Sequence, residues 1–311
     1  MSLLYVLGTG FTVPGGLPVM NKVLDEVKPK QESCDGNNEK GVFASTINEW
    51  TKFDKEKNME EFFTYLVKEG KKREERDFLY SFCRTLHLCW TEKRDTQLSV
   101  MREFMTVQAF YFLFLEKVFK ENASIISFNY DLIIDNLLIL MGKRPDYGFE
   151  PDDNEIGLIH LDFYGPLQKS NLFLKLHGSM NWYKCSTCRK SFIKLDPADT
   201  WSTGITGDDN TGGATCPQCN KGMDFLMIPP RIGKKPQSNE PRFLKNIWDL
   251  GFAKIASAEK IIFIGYNFPP SDKNLMRYFK EALEFRRLQN KNITVVTLNP
   301  DVDFEERYKC V

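Results

Sequence analysis

Four cysteines fall into two pairs, Cys185-x-x-Cys188 and Cys216-x-x-Cys219, with 27 residues between the pairs. Two such pairs can close a tetrahedral thiolate shell around zinc, although the gap is longer than in an ordinary ribbon. Four protein ligands leave no open coordination position, so a metal held there is expected to be structural and to tie a small insert together. A redox pair or free thiols is the alternative. Asn129 and Asp131 stand two apart just past an apolar run, with Tyr130 between them. In extended geometry both point to the same side. Such a pair serves either as catalytic polar groups or as a helix cap or Asx turn. His177 follows Phe173-Leu174-Lys175-Leu176 and precedes Gly178-Ser179. At the carboxyl end of a strand it is placed to act as a general base, because its pKa lies near neutral. A satisfied structural histidine is the other reading, and it is the one His87 and His160 receive. Gly8-Thr9-Gly10 opens a glycine loop that continues to Gly15-Gly16-Leu17-Pro18. Glycines let a backbone approach a pyrophosphate closely, and a following helix N-terminus favours negative charge. The ordinary dinucleotide fingerprint needs a third glycine where Val13 stands, which disfavours a plain Rossmann dehydrogenase.

These groups share one placement. Leu3–Leu7 runs into the glycine loop, Ser124–Phe128 into Asn129-Tyr130-Asp131, and Leu172–Leu176 into His177-Gly178-Ser179. Ile261–Ile264 runs into Gly265-Tyr266-Asn267, and Ile293–Leu298 into Asn299-Pro300. Short apolar runs ended by Gly, Asn, Asp or His read as buried parallel strands feeding loops. Ligands of open α/β sheets bind outside the carboxyl ends of the strands, so five such ends point to an enzyme with a nucleotide-like ligand.

Between the strands the pattern becomes helical. A helix is expected over about Leu17–Val27, then an exposed loop over Pro29–Lys40. From Ala44 to Glu121 the spacing predicts a helical insert. Asn58 with Glu61 reads as a capped helix start, and Phe78, Phe82, Leu86 and Cys89 recur at helical steps. Met101, Met105, Phe112, Leu115 and Phe119 mark one face of a later helix and Val107, Phe110, Phe114 and Val118 a second, so burial on both is expected. Lys68–Arg76 reads as a solvated mixed-charge run. Leu132–Met141 and Asp272–Arg287 have helical spacing, Gly142–Pro166 is rich in loop residues, and Leu226–Pro230 reads as a short strand. Tyr183–Lys221 is polar, with too little apolar content to fold by itself. The alternation implies an α/β fold with a doubly wound parallel sheet. Its core would comprise residues 1–43, 123–182 and 224–311, with a helical insert at 44–122 and a cysteine-bearing insert at 183–223.

The totals set limits. The chain has 311 residues, 42% of them hydrophobic, enough for one large domain or two smaller ones. Lys+Arg and Asp+Glu balance at 42 each, which argues against bulk nucleic acid as the main partner. No apolar run reaches the length of a membrane span, and the N-terminus reads as a first strand, not a signal peptide. Eight cysteines with one paired set fit a reducing cytosol better than a disulfide framework.

In this order the motifs resemble the sirtuin (silent information regulator two) superfamily. Gly8-Thr9-Gly10 with Gly16-Leu17-Pro18, Asn129-Tyr130-Asp131, His177-Gly178 followed by four cysteines, Gly265-Tyr266-Asn267 and Asn299 match its elements from Leu3 to Asn299. The closer resemblance is to the sirtuin-like NAD hydrolases of bacterial antiviral defence, through Gly10-Phe11-Thr12, Phe128-Asn129-Tyr130-Asp131, Lys175–Trp182, Ile228-Pro229-Pro230 and Ile264–Asp272. Where the protein deacylases of the superfamily carry Asp-Phe-Arg and a Phe-Gly-Glu loop, this chain has Val19-Met20-Asn21 and Ile228–Gly233. The resemblance implies a Rossmann-like sirtuin core with a zinc ribbon, and cleavage of the nicotinamide–ribose bond of NAD. By it, Asn129 would bond the ribose or place water, Asp131 would orient the carboxamide, and His177 would take a proton. Gly8, Thr9, Gly10 and Thr12 would cradle the pyrophosphate and Gly265, Asn267 and Asn299 would hold the adenosine. Phe11, Pro18 and Tyr266 would complete the NAD site. An NAD hydrolase needs gating, and no further sensor domain is read in the chain, so a separate regulatory partner or a homo-oligomer is expected. The rival readings are an NAD-dependent protein-lysine deacylase and a non-catalytic sensor of NAD or ADP-ribose.

Overall fold

The computed structural model describes residues 2–19, 22–32, 37–53, 58–95, 98–151, 155–160, 167–195, 215–231, 241–266, 268, 272–286, 292–296 and 308. β1 (Leu3–Leu7) leads into two short 3-10 turns, Thr9–Phe11 and Val13–Gly15. Then come α1 (Val23–Glu32), α2 (Asn37–Lys52), α3 (Met59–Lys68), α4 (Lys72–Asp95) and α5 (Leu98–Lys120). β2 (Ser124–Ser127), α6 (Ile133–Leu140), β3 (Lys143–Asp146), β4 (Ile156–His160), β5 (Gln168–Lys175), β6 (Gly178–Cys185), β7 (Ser191–Leu195) and β8 (Met223–Met227) follow. α7 (Arg242–Ser257), β9 (Lys260–Ile264), α8 (Lys273–Arg286) and β10 (Asn292–Val296) complete the described elements.

Six strands form one sheet in the order β10-β9-β1-β2-β5-β3, with every pairing parallel. The five expected runs are its first five strands. Leu4, Val6, Ile126 and Leu174 on one face and Tyr5, Leu7, Ile125 and Phe173 on the other are buried, as strands covered on both faces require. From β1 the chain builds outward to β2 and β5 on one side and to β9 and β10 on the other. The topological switch point therefore lies between β1 and β9. A second sheet, β4-β7-β6-β8, is antiparallel about β6 and carries the cysteines.

Several local expectations hold. Asn58 caps α3, accepting from the Glu61 amide while the Glu61 carboxylate takes the Asn58 N–H. Phe78, Phe82, Leu86 and Cys89 are all buried on α4. Others change. The first helix begins at Val23, and residues 37–40, expected in a loop, already belong to α2. α1 continues past Pro29, whose missing N–H leaves the Asp25 carbonyl without its intrahelical partner and weakens the helix close to its end. α2 also crosses residue 43, where the sequence reading divides core from insert. On α5, Phe114, Leu115 and Val118 are buried but Phe110 and Leu113 are 50% and 64% exposed, so the second face is covered only in part. The side chains of Met101, Met105 and Val107 lie outside the described residues.

The stretch 142–166 holds two strands. β3 is an edge strand without a single aliphatic residue, and its register shifts between Arg144 and Asp146, so Pro145 sits at an irregularity where no ladder N–H is needed. The cysteine insert has a small core of its own, Tyr183, Cys185, Phe192, Cys216 and Met223. Among the described residues, no helix is long and apolar enough to cross a membrane.

Candidate active site and cysteine cluster

The loops after β1 and β9 meet through glycine. The Gly8 amide bonds Ile264 O at 3.0 Å, the Gly10 amide bonds Gly265 O at 2.9 Å, and the Gly265 amide reaches Val296 O at 3.0 Å. Gly265 has φ +64°, and a Cβ there would stand 2.3 Å from the Phe11 nitrogen; one on Gly8 would stand 2.5 Å from Gly265 O. These glycines are thus required first by each other, at the switch point. The loop turns without entering a helix directly: Phe11 N bonds Gly8 O, Thr12 N and its hydroxyl both bond Thr9 O, and Gly16 takes a left-handed φ of 88°. α1 starts seven residues beyond Gly16, so among the described residues only the short 3-10 turn at Thr9, and no α-helix, begins at Gly8-Thr9-Gly10. Pro18 lies between, half-buried.

Asn129 and His177 come together at the neighbouring ends of β2 and β5. The Asn129 side-chain NH2 donates to Gly8 O at 3.0 Å, which fixes the amide so that Oδ1 faces the other way. That oxygen is buried and has no hydrogen-bond partner among the described residues. His177 Nδ1 lies 3.2 Å from Phe128 O. A carbonyl only accepts, so Nδ1 carries the proton and Nε2 carries the lone pair of the neutral ring. The imidazole is held between aromatic rings: Tyr130 stacks at 5.8 Å, Phe128 tilts at 5.1 Å and Trp248 stands at 6.5 Å. Its backbone is fixed by Ile228 N donating to His177 O, while Tyr130 donates to Ile228 O and Trp248 to Leu176 O.

Asp131 is placed differently. Its Oδ1 accepts from the Ile133 amide at 3.1 Å, the Asx turn at the start of α6. Burial pushes its carboxyl up to about 6, with the nearby Lys175 ammonium opposing the rise. Lys175, itself buried, donates to the Asp131 carbonyl at 2.5 Å and pairs with Asp135 at 3.0 Å, and Asp135 also takes the Tyr147 hydroxyl. The Lys175–Asp135 pair and the Tyr147 and Tyr130 hydroxyls carry no sequence signal beyond their apolar surroundings; only the fold brings them behind the strand ends. Tyr266 turns inward, its hydroxyl on Asp272 at 2.8 Å and its ring on Phe128 at 4.6 Å. Asn267 and Asn299 lie outside the described residues.

The four cysteines stand on two copies of one turn. Arg189 N bonds Cys185 O at 2.9 Å and Cys185 N bonds Lys190 O at 2.9 Å. Asn220 N bonds Cys216 O at 2.9 Å and Cys216 N bonds Lys221 O at 2.8 Å. Arg189 and Asn220 both have positive φ, 65° and 56°. The four sulfurs lie within 4.8 Å of one another, with Cys185 to Cys219 at 3.5 Å and Cys188 to Cys216 at 3.6 Å. A tetrahedron with Zn–S bonds of about 2.3 Å has edges of about 3.8 Å, whereas a disulfide needs about 2.05 Å. The cluster fits a four-thiolate metal site with no open position.

Fold and site define an α/β protein with a parallel sheet, a polar cluster at its strand ends and a separate four-cysteine sheet. No family model matches the chain, and no curated protein matches it. Among solved structures, it is similar to Sir2Tm bound to a propionylated peptide, at 12% identity and a TM-score of 0.44, over 98% of this chain and 84% of that one. A Sir2 homologue in complex with NAD matches at 13% identity and a TM-score of 0.44, over 96% and 78%. A Sir2 enzyme structure concerned with mechanism and regulation matches at 14% identity and a TM-score of 0.42, over 97% and 82%.

Proposed function

We propose that the chain hydrolyses NAD to nicotinamide and ADP-ribose. The observation that carries this reading is Asn129: its amide is locked onto Gly8, and its buried Oδ1 is left as an acceptor at the end of β2, the strand next to the one that ends in His177. An acceptor and a base at adjacent strand ends suit a water that must be oriented and relieved of a proton. In the reaction the bond from ribose C1′ to the nicotinamide nitrogen breaks, and its electron pair leaves with neutral nicotinamide. Water bonds C1′, guided by Asn129 Oδ1, and its proton passes to His177 Nε2. Positive charge grows on the ribose in the transition state, where fixed backbone carbonyls and the Asn129 oxygen lower its energy. Asp131, with its carboxyl near 6, would take the nicotinamide carboxamide in either protonation state.

Cys185, Cys188, Cys216 and Cys219 would hold zinc, which supplies structure to the small sheet and no chemistry. Residues 1–43, 123–182 and 224–311 would form the NAD-binding core, 44–122 the helical insert and 183–223 the zinc ribbon. Asn267 and Asn299 would hold the adenosine with Gly265. In this reading the protein is a cytoplasmic NAD-depleting effector of antiviral defence, gated by a separate partner or by self-assembly.

Nicotinamide release from NAD, followed with and without an acyl-lysine peptide and across oligomeric states, tests it. Release without peptide, abolished in folded His177→Ala and Asn129→Ala, is expected. Release only with peptide, together with O-acyl-ADP-ribose, would make the chain a deacylase. Retained ligand with no release in any state would make it a sensor.

A further inference from the structure

Tyr111 stands on α5, far in sequence from every strand end, yet its hydroxyl enters the glycine loop. It donates to Phe11 O at 2.9 Å and accepts from the Gly15 amide at 3.2 Å. The ring is fully buried and packs edge-on against Phe11 at 5.2 Å. The two bonds span the loop: Phe11 ends its first 3-10 turn and Gly15 ends the second. Space is tight, since a Cβ at Gly15 would stand 3.2 Å from the Tyr111 oxygen and 2.9 Å from Ile133 Cδ1. The two bonds also use the hydroxyl fully, one as donor and one as acceptor, a pairing no other side chain of that shape offers. Burial and the neighbouring Asp131 carboxylate both push the phenol upward, so the proton it donates stays in place.

We propose that Tyr111 is a positioning residue: through its hydroxyl the helical insert sets the shape of the glycine loop and with it the affinity for a dinucleotide pyrophosphate. The pyrophosphate part rests on the proposed function; the hold on the loop does not. Two bonds of ordinary strength are lost with the hydroxyl, which corresponds to a change on the order of tenfold.

The test compares Tyr111→Phe with Tyr111→Met, which fill the space without an oxygen. In the ligand-free protein, amide hydrogen exchange over residues 8–16 should quicken about tenfold in either variant while β1 and β2 stay protected. ADP-ribose should bind about tenfold more weakly and adenosine unchanged, and KM for NAD should rise about tenfold with kcat within about twofold. Unchanged exchange in a folded variant overturns the proposal, as does equal weakening of adenosine and ADP-ribose. Failure of both variants to fold also overturns it, because Tyr111 would then belong to the fold and not to the loop. A wild-type chain that binds no ADP-ribose defeats the functional reading instead, and the exchange result alone then decides whether Tyr111 holds the loop.

Discussion

The cysteine cluster and the strand-end cluster are built in opposite ways. Each Cys-x-x-Cys turn closes on itself, through bonds from Arg189 to Cys185 and from Asn220 to Cys216 that span four residues. The strand ends are joined by bonds between residues far apart in sequence: 121 residues from Gly8 to Asn129, 49 from Phe128 to His177 and 98 from Tyr130 to Ile228. The first cluster is two ready-made turns at the ends of the paired strands β6 and β8, which a metal would tie together. The second needs the whole sheet, and no single segment contains it.

That contrast can be broken first at the metal. Dialysis against a strong chelator, or Cys216→Ser, should remove one zinc per chain by elemental analysis. It should quicken exchange about the two cysteine turns and the ends of β6 and β8 next to them, while β1 and β2, and the Met180–Trp182 part of β6 that packs in the main core, keep their protection. The metal is worth about 10–16 kcal/mol in small zinc domains, more than the small core of five residues supplies. Loss of protection in both sheets together would show that the two clusters are not separately built.

Next in size is the buried ion pair behind the strand ends. Lys175→Met leaves Asp135 charged and dry, at a cost of about 3–5 kcal/mol. Adding Asp135→Asn keeps an acceptor for Tyr147, and urea unfolding should recover most of the loss. Zinc content should stay unchanged throughout.

A smaller effect follows from Asp131. Its folded pKa of about 6 lies above the ordinary 3.8, so the folded chain holds the proton more tightly than the unfolded one. Stability from this group is complete below about 4 and is lost as pH rises through 6, by roughly 3 kcal/mol at most. Asp131→Asn should flatten that part of the pH–stability curve, and an unaltered curve would remove Asp131 as its cause. Last, Tyr266→Phe takes one donor from Asp272 and should lower stability by about 1–2 kcal/mol by thermal unfolding, leaving the cysteine sheet untouched.

Sequence and fold agree where local physics decides. Four strand ends were legible because buried parallel strands are apolar runs, whereas Ile293 and Val296 of β10 are exposed and its expected end at Asn299 lies outside the described residues; the α3 cap was legible because Asn58 and Glu61 satisfy each other's backbone. The cysteine turns were legible from spacing alone. β3 was not, because Lys-Arg-Pro-Asp at a sheet edge carries no apolar pattern. α7 was passed over, with Gly251 interrupting its period; a Cβ there would stand 2.9 Å from the Tyr278 hydroxyl and 3.2 Å from Leu176, so packing asks for the glycine. In the candidate site, Asn129 and His177 could be picked out as polar residues at strand ends. Tyr111 could not, since it looks like core until the fold shows what its hydroxyl reaches, and Lys175 and Tyr130, though part of the quoted motifs, gave no sign of the bonds they make.

β1 and β2 are neighbours in the sheet, but all of α1 to α5 lies between them in the chain. Closing a loop ten times longer than an ordinary crossover of about twelve residues costs roughly 2 kcal/mol of additional chain entropy. The Gly8–Asn129 bond carries that cost, and helices formed between its ends offset it by shortening the path. A ribosome must release the chain through Gly265, roughly five-sixths of its length, before the joined strand ends can exist. A nascent chain stalled earlier would carry no complete site.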